Sequence, residues 1–424
     1  MKDSGIEWIG EIPEGWEVLA HKYIMHKEKS ICEHYSGEDV ISLTLNGVVK
    51  RDLENPSGKM PTTFDGYQFV DPNDLLLCLF DIDVTPRCVG LVKDYGVTSP
   101  AYSRFKIHSG FCNAFYNYLL RFIDDEKVFV HLSKNLRSSL TESDFGAIKT
   151  IVPPKAEQQR IADYLDNRTF EIDTLSSKAR SSIEEYKKLK QAVITQAVTK
   201  GVRGEREMKD SGVEWIGKIP KEWSVSPMKH FIDILPGYAF SSDDFCIEEG
   251  IPLLRGINVG VNEIRWDETV RWNHSISKQL ESFFLKENDL VVGLDRPWIS
   301  DGTRVAFIAK KDLPCLLLQR VCRIRTRCNF DIRWIYYWLS GSSFKDSLST
   351  ETTGISVPHI STKQIEQFIV AFPNLLEQTQ VCNYLDAKCA EIDKLIAKKE
   401  QLVKELESYK KSLIYEVVTG KREV

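Results

Sequence analysis

The sequence lacks the motifs by which the commonest catalytic sites are recognised. It contains no GxxxxGK(S/T) phosphate loop, no HExxH zinc helix, no GxSxG nucleophile elbow and no GxGxxG dinucleotide fingerprint. The Asn-Pro-Pro-aromatic tetrapeptide of amino-methyltransferases is missing too, as is a glycine-rich cofactor loop after a strand. Over 424 residues, these absences favour a binding protein over an enzyme.

Other absences bear on the cellular compartment. No apolar run reaches membrane-spanning length, and the opening Met1–Gly5 has no apolar signal region. The ten cysteines include no CxxC pair, which favours reduced thiols over a disulfide framework. His21, His26, Cys32 and His34 could ligate zinc, but their spacing matches no zinc finger. We therefore expect a cytoplasmic protein that binds neither membrane nor metal.

The sequence also lacks an overall excess of positive charge. Its net charge is −5, while its 42% hydrophobic and 28% charged residues are typical of a soluble globular protein. This charge balance does not by itself indicate a nucleic-acid-binding protein. It does not exclude one either, because binding depends on where the basic residues cluster.

What the sequence does contain is a long internal repeat. The run 157–199 returns without gaps as 377–419, and the leader 1–16 returns as 208–223. The chain therefore consists of two half-units, each with a leader, a variable globular domain and a long helix. The frame is duplicated while the contents of the globular domains differ, which predicts two related readers with different targets.

The two long runs are predicted to be coiled-coil helices. Their apolar residues form a narrow stripe with a period of seven, which suits two paired helices. Because the joint 200–207 is short, the second helix must run antiparallel to the first in order to bury its stripe on it. The expected seam residues are Leu165, Ile172, Leu175 and Tyr186 in the first helix, and Leu385, Ile392, Leu395, Leu406 and Leu413 in the second.

Short alternating or apolar runs predict strand-rich globular domains. The run 289–295 occupies the place in the second half that 74–80 occupies in the first. We therefore predict an α+β fold in which two long antiparallel helices separate two mixed α/β domains with approximate two-fold symmetry. The predicted segments are 1–152 and 208–372 for the domains with their leaders, 153–207 for the first helix and linker, and 373–424 for the second helix.

Basic and aromatic residues in the globular domains are candidates for DNA contact. Arginine can hold guanine edges, and lysine can neutralise phosphate. For any single residue, a solvated charge or a salt bridge is the competing interpretation. The alternation of Arg323 and Arg325 after Arg320 predicts one basic strand face. The candidates are Lys50 and Arg51, placed in a polar loop, with Arg87, Arg104, Arg296, Trp298, Arg304, Arg320 and Arg323.

The composite of these features resembles the specificity subunits of type I restriction-modification systems. The first helix opens with Pro-Pro-Lys-Ala-Glu-Gln-Gln-Arg-Ile at 153–161, and a weaker copy stands at 373–381. Both leaders contain Lys-Asp-Ser-Gly, and the second helix ends in Thr419-Gly420-Lys421. The resemblance covers nearly the whole chain.

That resemblance implies a non-catalytic subunit whose two target-recognition domains each read half of a bipartite sequence in double-stranded DNA. In the family, the long helices set the spacing between the half-sites and dock two modification subunits, which use S-adenosylmethionine to methylate adenine. Restriction subunits join them to translocate and cleave DNA with ATP and Mg²⁺. The chain itself is then expected to bind no cofactor and no metal.

Two other functions remain open from the sequence. A self-contained DNA-modifying enzyme would methylate or cut DNA without partners. A coiled-coil scaffold that binds proteins would give no DNA complex at all.

Overall fold

The computed structural model describes residues 1–45, 47–55, 61–133, 138–299, 302–327, 329–349 and 359–424. They form two compact units. The first unit contains Met1–Arg180 and Glu400–Val424, and the second contains Ser181–Lys399. Each unit therefore combines a leader and a globular domain with part of both long helices.

Two of the eight α-helices in the described residues are several times longer than the others. No described helix combines the length and the apolar character that crossing a membrane requires. The helices are α1 Asn113–Asp125, α2 Val128–Leu132, α3 Glu142–Ala147, α4 Lys155–Lys200, α5 Ile332–Ser340, α6 Ser342–Ser349, α7 Thr362–Gln367 and α8 Leu375–Val418.

The strands of the first unit form two four-stranded sheets and two short pairs. Their bounds are β1 Lys2–Asp3, β2 Glu11–Ile12, β3 Glu17–Ala20, β4 Met25–Lys27, β5 Val40–Thr44, β6 Gly47–Lys50, β7 Gln68–Val70, β8 Leu75–Leu77, β9 Val89–Leu91, β10 Gly96–Thr98, β11 Ser103–Ile107 and β12 Lys149–Val152. One sheet has the order β4-β11-β8-β9 and the other β6-β5-β10-β7. Lys50, which we expected in a loop, ends strand β6 and pairs with Ile41.

The strands of the second unit are β13 Met208–Asp210, β14 Lys218–Pro220, β15 Ser224–Pro227, β16 Ile232–Pro236, β17 Phe245–Cys246, β18 Ile251–Leu254, β19 Val270–Trp272, β20 Leu290–Gly293, β21 Trp298–Ile299, β22 Gly302–Thr303, β23 Val305–Phe307, β24 Leu316–Leu317, β25 Val321–Thr326 and β26 Ile369–Phe372. The sheet β16-β25-β20-β23 repeats the order and the antiparallel pairing of β4-β11-β8-β9. The predicted equivalence of the runs 74–80 and 289–295 therefore holds in the fold.

The second sheets of the two units share a centre and differ at their edges. Each contains one parallel pair, β5 with β10 in the first unit and β18 with β24 in the second. The first sheet is extended by β7 beside β10, whereas the second is extended by β17 beside β19. The two sheets therefore share their parallel pair and the strand beside it, and they differ in the fourth strand.

The short helices α3 and α7 begin with the same chemistry. The Thr141 side chain accepts a hydrogen bond from the amide of Asp144, and the Asp144 side chain accepts one from the amide of Thr141. Ser361 and Gln364 make the same pair of hydrogen bonds. Such a capping box satisfies two amides that the first turn leaves without partners. It fixes the start of each helix.

Each long helix ends against the leader tryptophan of one unit. Gly201, after α4, has φ of 75°, and a Cβ there would lie 3.2 Å from Trp223. Gly420, after α8, has φ of 72°, and its Cβ would lie 2.9 Å from Trp16. Both positions need glycine because the left-handed backbone and the close indole ring exclude a side chain.

The long helices pair in the antiparallel sense within each unit, as predicted. In the first unit, Lys410 of α8 contacts Asp173 of α4 at 2.7 Å, and Glu407 contacts Arg180 at 2.5 Å. In the second unit, the Lys190 ammonium lies 2.7 Å from Asp393. These exposed ion pairs contribute less than about 1 kcal/mol each, so the apolar seam between the helices supplies most of the stability.

The seam differs from our prediction at two positions. Leu175 is 53% exposed and Leu395 is 36% exposed, so neither lies in it. The buried positions of α4 follow the 4-3 spacing of a coiled coil, and this spacing selects the small residues Thr169 and Ser176 instead. In α8 the corresponding position is the half-buried Ile396.

The remaining expected seam residues face inward to different degrees. Tyr186 and Leu406 are half-buried. The others are at most 6% exposed, and they are Leu165, Ile172, Leu385, Ile392 and Leu413.

Candidate nucleic-acid interface

A buried carboxylate opens the central strand of the equivalent sheet in each unit. Asp74 precedes β8 and accepts from the amide of Asp71 at 2.7 Å, while Asp289 precedes β20 and accepts from the amide of Lys286 at 2.7 Å. Both are 3% exposed. Burial raises the pKa of Asp74, although a neighbouring guanidinium opposes that rise.

That guanidinium belongs to Arg104, which we had expected to contact DNA. Arg104 is 2% exposed, and its Nε lies 2.5 Å from Asp74 while its Nη2 lies 2.5 Å from Asp71. The prediction was wrong because an arginine so enclosed by carboxylates cannot reach a phosphate. Its role is to neutralise the buried acid of the strand beside it.

The predicted basic face of β25 is neutralised in the same way. Arg325 donates to Asp289 at 2.5 and 2.7 Å, and Arg323, which is 7% exposed, donates to Asp233 at 3.0 Å. The alternation along the strand is real. The acids that face it come from distant parts of the sequence, so Arg323 is removed from the DNA-binding candidates.

Two further arginines brace the backbone. Arg87 donates to the carbonyl of Leu45 at 3.0 Å, and its side chain is only 13% exposed. Arg304 donates to the carbonyls of Val259 at 2.8 Å and of Gly256. Both guanidinium groups are tied to main-chain carbonyls, so they position loops, and Arg87 also lies 3.5 Å from the carboxylate of Asp125.

In the first unit, two candidates remain at the surface. The ammonium of Lys50 lies 2.8 Å from Asp39, and its side chain is 48% exposed. Arg51 follows it, is half-buried, and donates its amide to the carbonyl of Val40 at 2.8 Å. An exposed ion pair of this kind exchanges readily with a phosphate, because water screens it and it adds little stability.

In the second unit, the loop between β20 and β23 brings several candidates together. Arg296 is exposed, and Trp298 is half-buried in the short strand β21. The Arg320 side chain is 60% exposed, and its Nε lies 3.6 Å from Asp295. Arg296 and Arg320 have φ of 45° and 70°. Such backbone strain in non-glycine residues is concentrated at functional sites.

The same loop in the first unit joins β8 to β9 and has a different character. The carbonyl of Leu79 accepts from the amide of Leu140 at 2.8 Å, as that of Leu294 accepts from Ile360 at 2.9 Å. By this equivalence, Asp81, with φ of 47°, stands where Arg296 stands. The first loop therefore presents acidic and apolar side chains, and the second presents cations.

Sequence reasoning missed Asp81 and the exposed Phe80 beside it. From the sequence we interpreted His359 as an ordinary loop residue and gave Asp295 no role, whereas the two side chains meet in the second unit. Aligning the strand that follows Asp74 with the strand that follows Asp289 would have placed the two loops in register. The search for basic residues passed over loops that carry acids and aromatic groups.

Comparison with known proteins shows what the chain is similar to. Residues 220–405 match the family model described as "Type I restriction modification DNA specificity domain". Over those residues the chain is similar to type I restriction-modification DNA specificity domains. The family resemblance of the sequence is thereby confirmed, and the loop between β20 and β23 lies within the matched specificity domain.

Curated relatives agree with this assignment. The MjaVIII specificity subunit of Methanocaldococcus jannaschii is 31% identical over 278 residues, which cover 65% of this chain and 63% of that protein. The EcoAI specificity subunit of Escherichia coli is 34% identical over 179 residues, which cover 42% of this chain and 30% of that protein. The chain thus spans less than two thirds of the length of either relative.

Solved structures share the fold of the specificity domain. A chain from work on complex assembly and conformational transition of the type I R-M system has a TM-score of 0.71 at 15% identity, covering 97% of this chain and all of that one. The HsdS subunit from Thermoanaerobacter tengcongensis has a TM-score of 0.52 at 16% identity, with full coverage of both chains. At these identities, the likeness extends to the fold alone.

Proposed function

We propose that this chain is the DNA sequence-specificity subunit of a type I restriction-modification complex. Each unit reads one half of a bipartite target in double-stranded DNA. The observation that carries this proposal is the pair of equivalent loops, β8 to β9 and β20 to β23, which stand on the same strand order but expose different side chains. Identical supports with unlike surfaces suit two different half-sites.

The chain supplies recognition, and partner subunits supply chemistry. Two modification subunits dock on the long helices and methylate adenine with S-adenosylmethionine. Restriction subunits, with ATP and Mg²⁺, add translocation and cleavage. The complex works in the cytoplasm, where reduced thiols such as the nine free cysteines of the described residues persist.

Methylation of DNA by the reconstituted complex tests this proposal. The chain is combined with its modification subunits and S-adenosylmethionine on a randomised DNA library, and the methylated molecules are sequenced. We expect one bipartite motif with a fixed gap, and no methylation from the chain alone. An uninterrupted motif, methylation without sequence preference or activity of the isolated chain would contradict the proposal.

We further propose that the helices set the gap between the half-sites. Inserting seven residues into α4 and seven into α8 keeps the seam in phase and adds about 10 Å of helix, or roughly 3 base pairs of DNA. The two half-sites should stay the same while the gap lengthens. An unchanged gap in the methylated motif would show that the helices are not the spacer.

A further inference from the structure

The imidazole of His359 is held in place at the surface of the second unit. Its Nδ1 lies 2.7 Å from Oδ1 of Asp295, and the two side chains are 43% and 41% exposed. An isolated β-bridge joins the same two residues, and the amide of Ile360 donates to the carbonyl of Leu294 at 2.9 Å. Main-chain and side-chain contacts therefore orient the ring together.

This orientation selects one tautomer of the neutral ring. A carboxylate only accepts hydrogen bonds, so in the neutral ring Nδ1 carries the proton and donates a hydrogen bond to Asp295. The other nitrogen, Nε2, is then an acceptor. It has no hydrogen-bond partner among the described residues.

Two exposed arginines lie next to Asp295, the carboxylate that holds the ring. Arg320 approaches the same carboxylate, with its Nε 3.6 Å from Oδ2 of Asp295, and Arg296 follows Asp295 in the chain. Guanidinium groups placed there attract the phosphates that flank a base. The first unit has Phe80 and Ser139 at the positions of Asp295 and His359, so this acceptor belongs to the second unit alone.

We propose that His359 is a specificity-determining residue for the half-site read by the second unit. Its Nε2 accepts a hydrogen bond from the exocyclic amino group of adenine or cytosine, which are the two donors in the major groove. Asp295 is the positioning residue that fixes the tautomer. This assignment rests on the proposed DNA-recognition function.

Base preference at a single position is the readout that a purely structural role would not change. Complexes with H359A, D295N and H274A are tested on the randomised library. His274 is a matched control, because it is an exposed histidine of the same domain at a looser 3.8 Å from Asp244. We expect H359A to lose about tenfold to a hundredfold discrimination at one position of one half-site.

The base pair that wild type requires at that position identifies the donor, which is adenine in an A·T pair and cytosine in a G·C pair. D295N should relax the same position to a smaller extent, and H274A should leave the motif as it is. If H359A fails to assemble, D295N decides, because it retains the imidazole and replaces a carboxylate, which only accepts, with an amide that can also donate and so no longer fixes the tautomer. D295N also removes the charge that Arg320 approaches.

The outcomes separate the two proposals. A wild-type complex without a bipartite motif overturns the proposed function. A bipartite wild-type motif that H359A reads unchanged overturns only the inference. If H359A fails to assemble, a D295N motif identical to that of wild type likewise overturns only the inference. An equal shift in H274A also overturns it.

Discussion

The two units share a scaffold and differ in the charges that their equivalent loops present. Each has a buried acid before a central strand of its sheet, Asp74 or Asp289. In each, an arginine from the adjacent strand forms an ion pair with that acid. The first unit then presents an acidic and apolar loop at Asp81, while the second presents cations around Asp295. The difference indicates that the arginines set deepest in the sheets maintain the scaffold, whereas the loops that differ between the units are the proposed sites of recognition.

The largest effects are expected where the scaffold is the same. Trp16 and Trp223 are 1% and 0% exposed, and replacing either with alanine should lower the free energy of unfolding by about 3–5 kcal/mol. Urea unfolding of each variant measures this. If one tryptophan were dispensable, the two leaders would not be equivalent.

Phenylalanine at the same positions sharpens the comparison. The Trp16 Nε1 donates to Glu157 at 3.1 Å, whereas the Trp223 Nε1 is buried without a partner in the described residues. W16F should therefore cost about 1 kcal/mol more than W223F, because only W16F removes a hydrogen bond. Equal losses for the two variants would contradict this assignment.

The buried ion pairs should rank by their exposure. R104A leaves Asp74 buried without its main partner and should cost about 3–5 kcal/mol. The Arg325 side chain is 33% exposed, so R325A should cost clearly less. Urea unfolding of the two variants supplies the ranking, and a larger loss for R325A would reverse the argument.

A difference in pH dependence should follow from His21, whose equivalent in the second unit is Met228. Burial lowers the pKa of His21 to about 4, below the value of about 6.5 in an unfolded chain. The unfolded state therefore binds more protons between these values, and stability falls as pH drops from about 6.5 to 4, by up to roughly 3 kcal/mol.

Replacing His21 with methionine should remove this dependence. Urea unfolding of wild type and H21M is measured at pH 7 and at pH 4.5. We expect the stability difference between the two pH values to shrink in H21M. A wild-type protein whose first unit is equally stable at both pH values would rule out His21 as the titrating group.

The smallest effects are expected at the residues that we wrongly placed in the seam. Leu175 and Leu395 are exposed, so alanine at either position should change stability by less than about 0.5 kcal/mol. L165A, at a fully buried seam position, should cost about 2–5 kcal/mol in the same measurement. A large loss of stability in L175A would show that Leu175 belongs to the seam.

The repeat and the long helices were predictable because both depend on local sequence. In the run 157–199 and in its copy, apolar residues recur every seven positions, and the sequence shows this period directly. The seam was misread at Leu175 because we ranked leucine above Ser176, whereas the 4-3 spacing selects position and not size.

The candidate interface was less predictable because it depends on distant contacts. Nothing near Arg104 in the sequence shows that Asp74, 30 residues earlier, will enclose its guanidinium. In the same way, His359 becomes interesting only when the fold brings it to Asp295, 64 residues away. Pattern reading identifies basic residues, but only the fold separates those that neutralise buried acids from those that remain exposed.

A domain exchange tests most directly the claim that each unit reads its own half-site. In the altered chain, residues 224–372 are replaced by residues 17–152, and both leaders and both long helices are kept. The methylated motif of its complex with the modification subunits is then sequenced. We predict a motif built from two copies of one half-site of the wild-type target. Retention of the original pair of unlike half-sites would contradict the account.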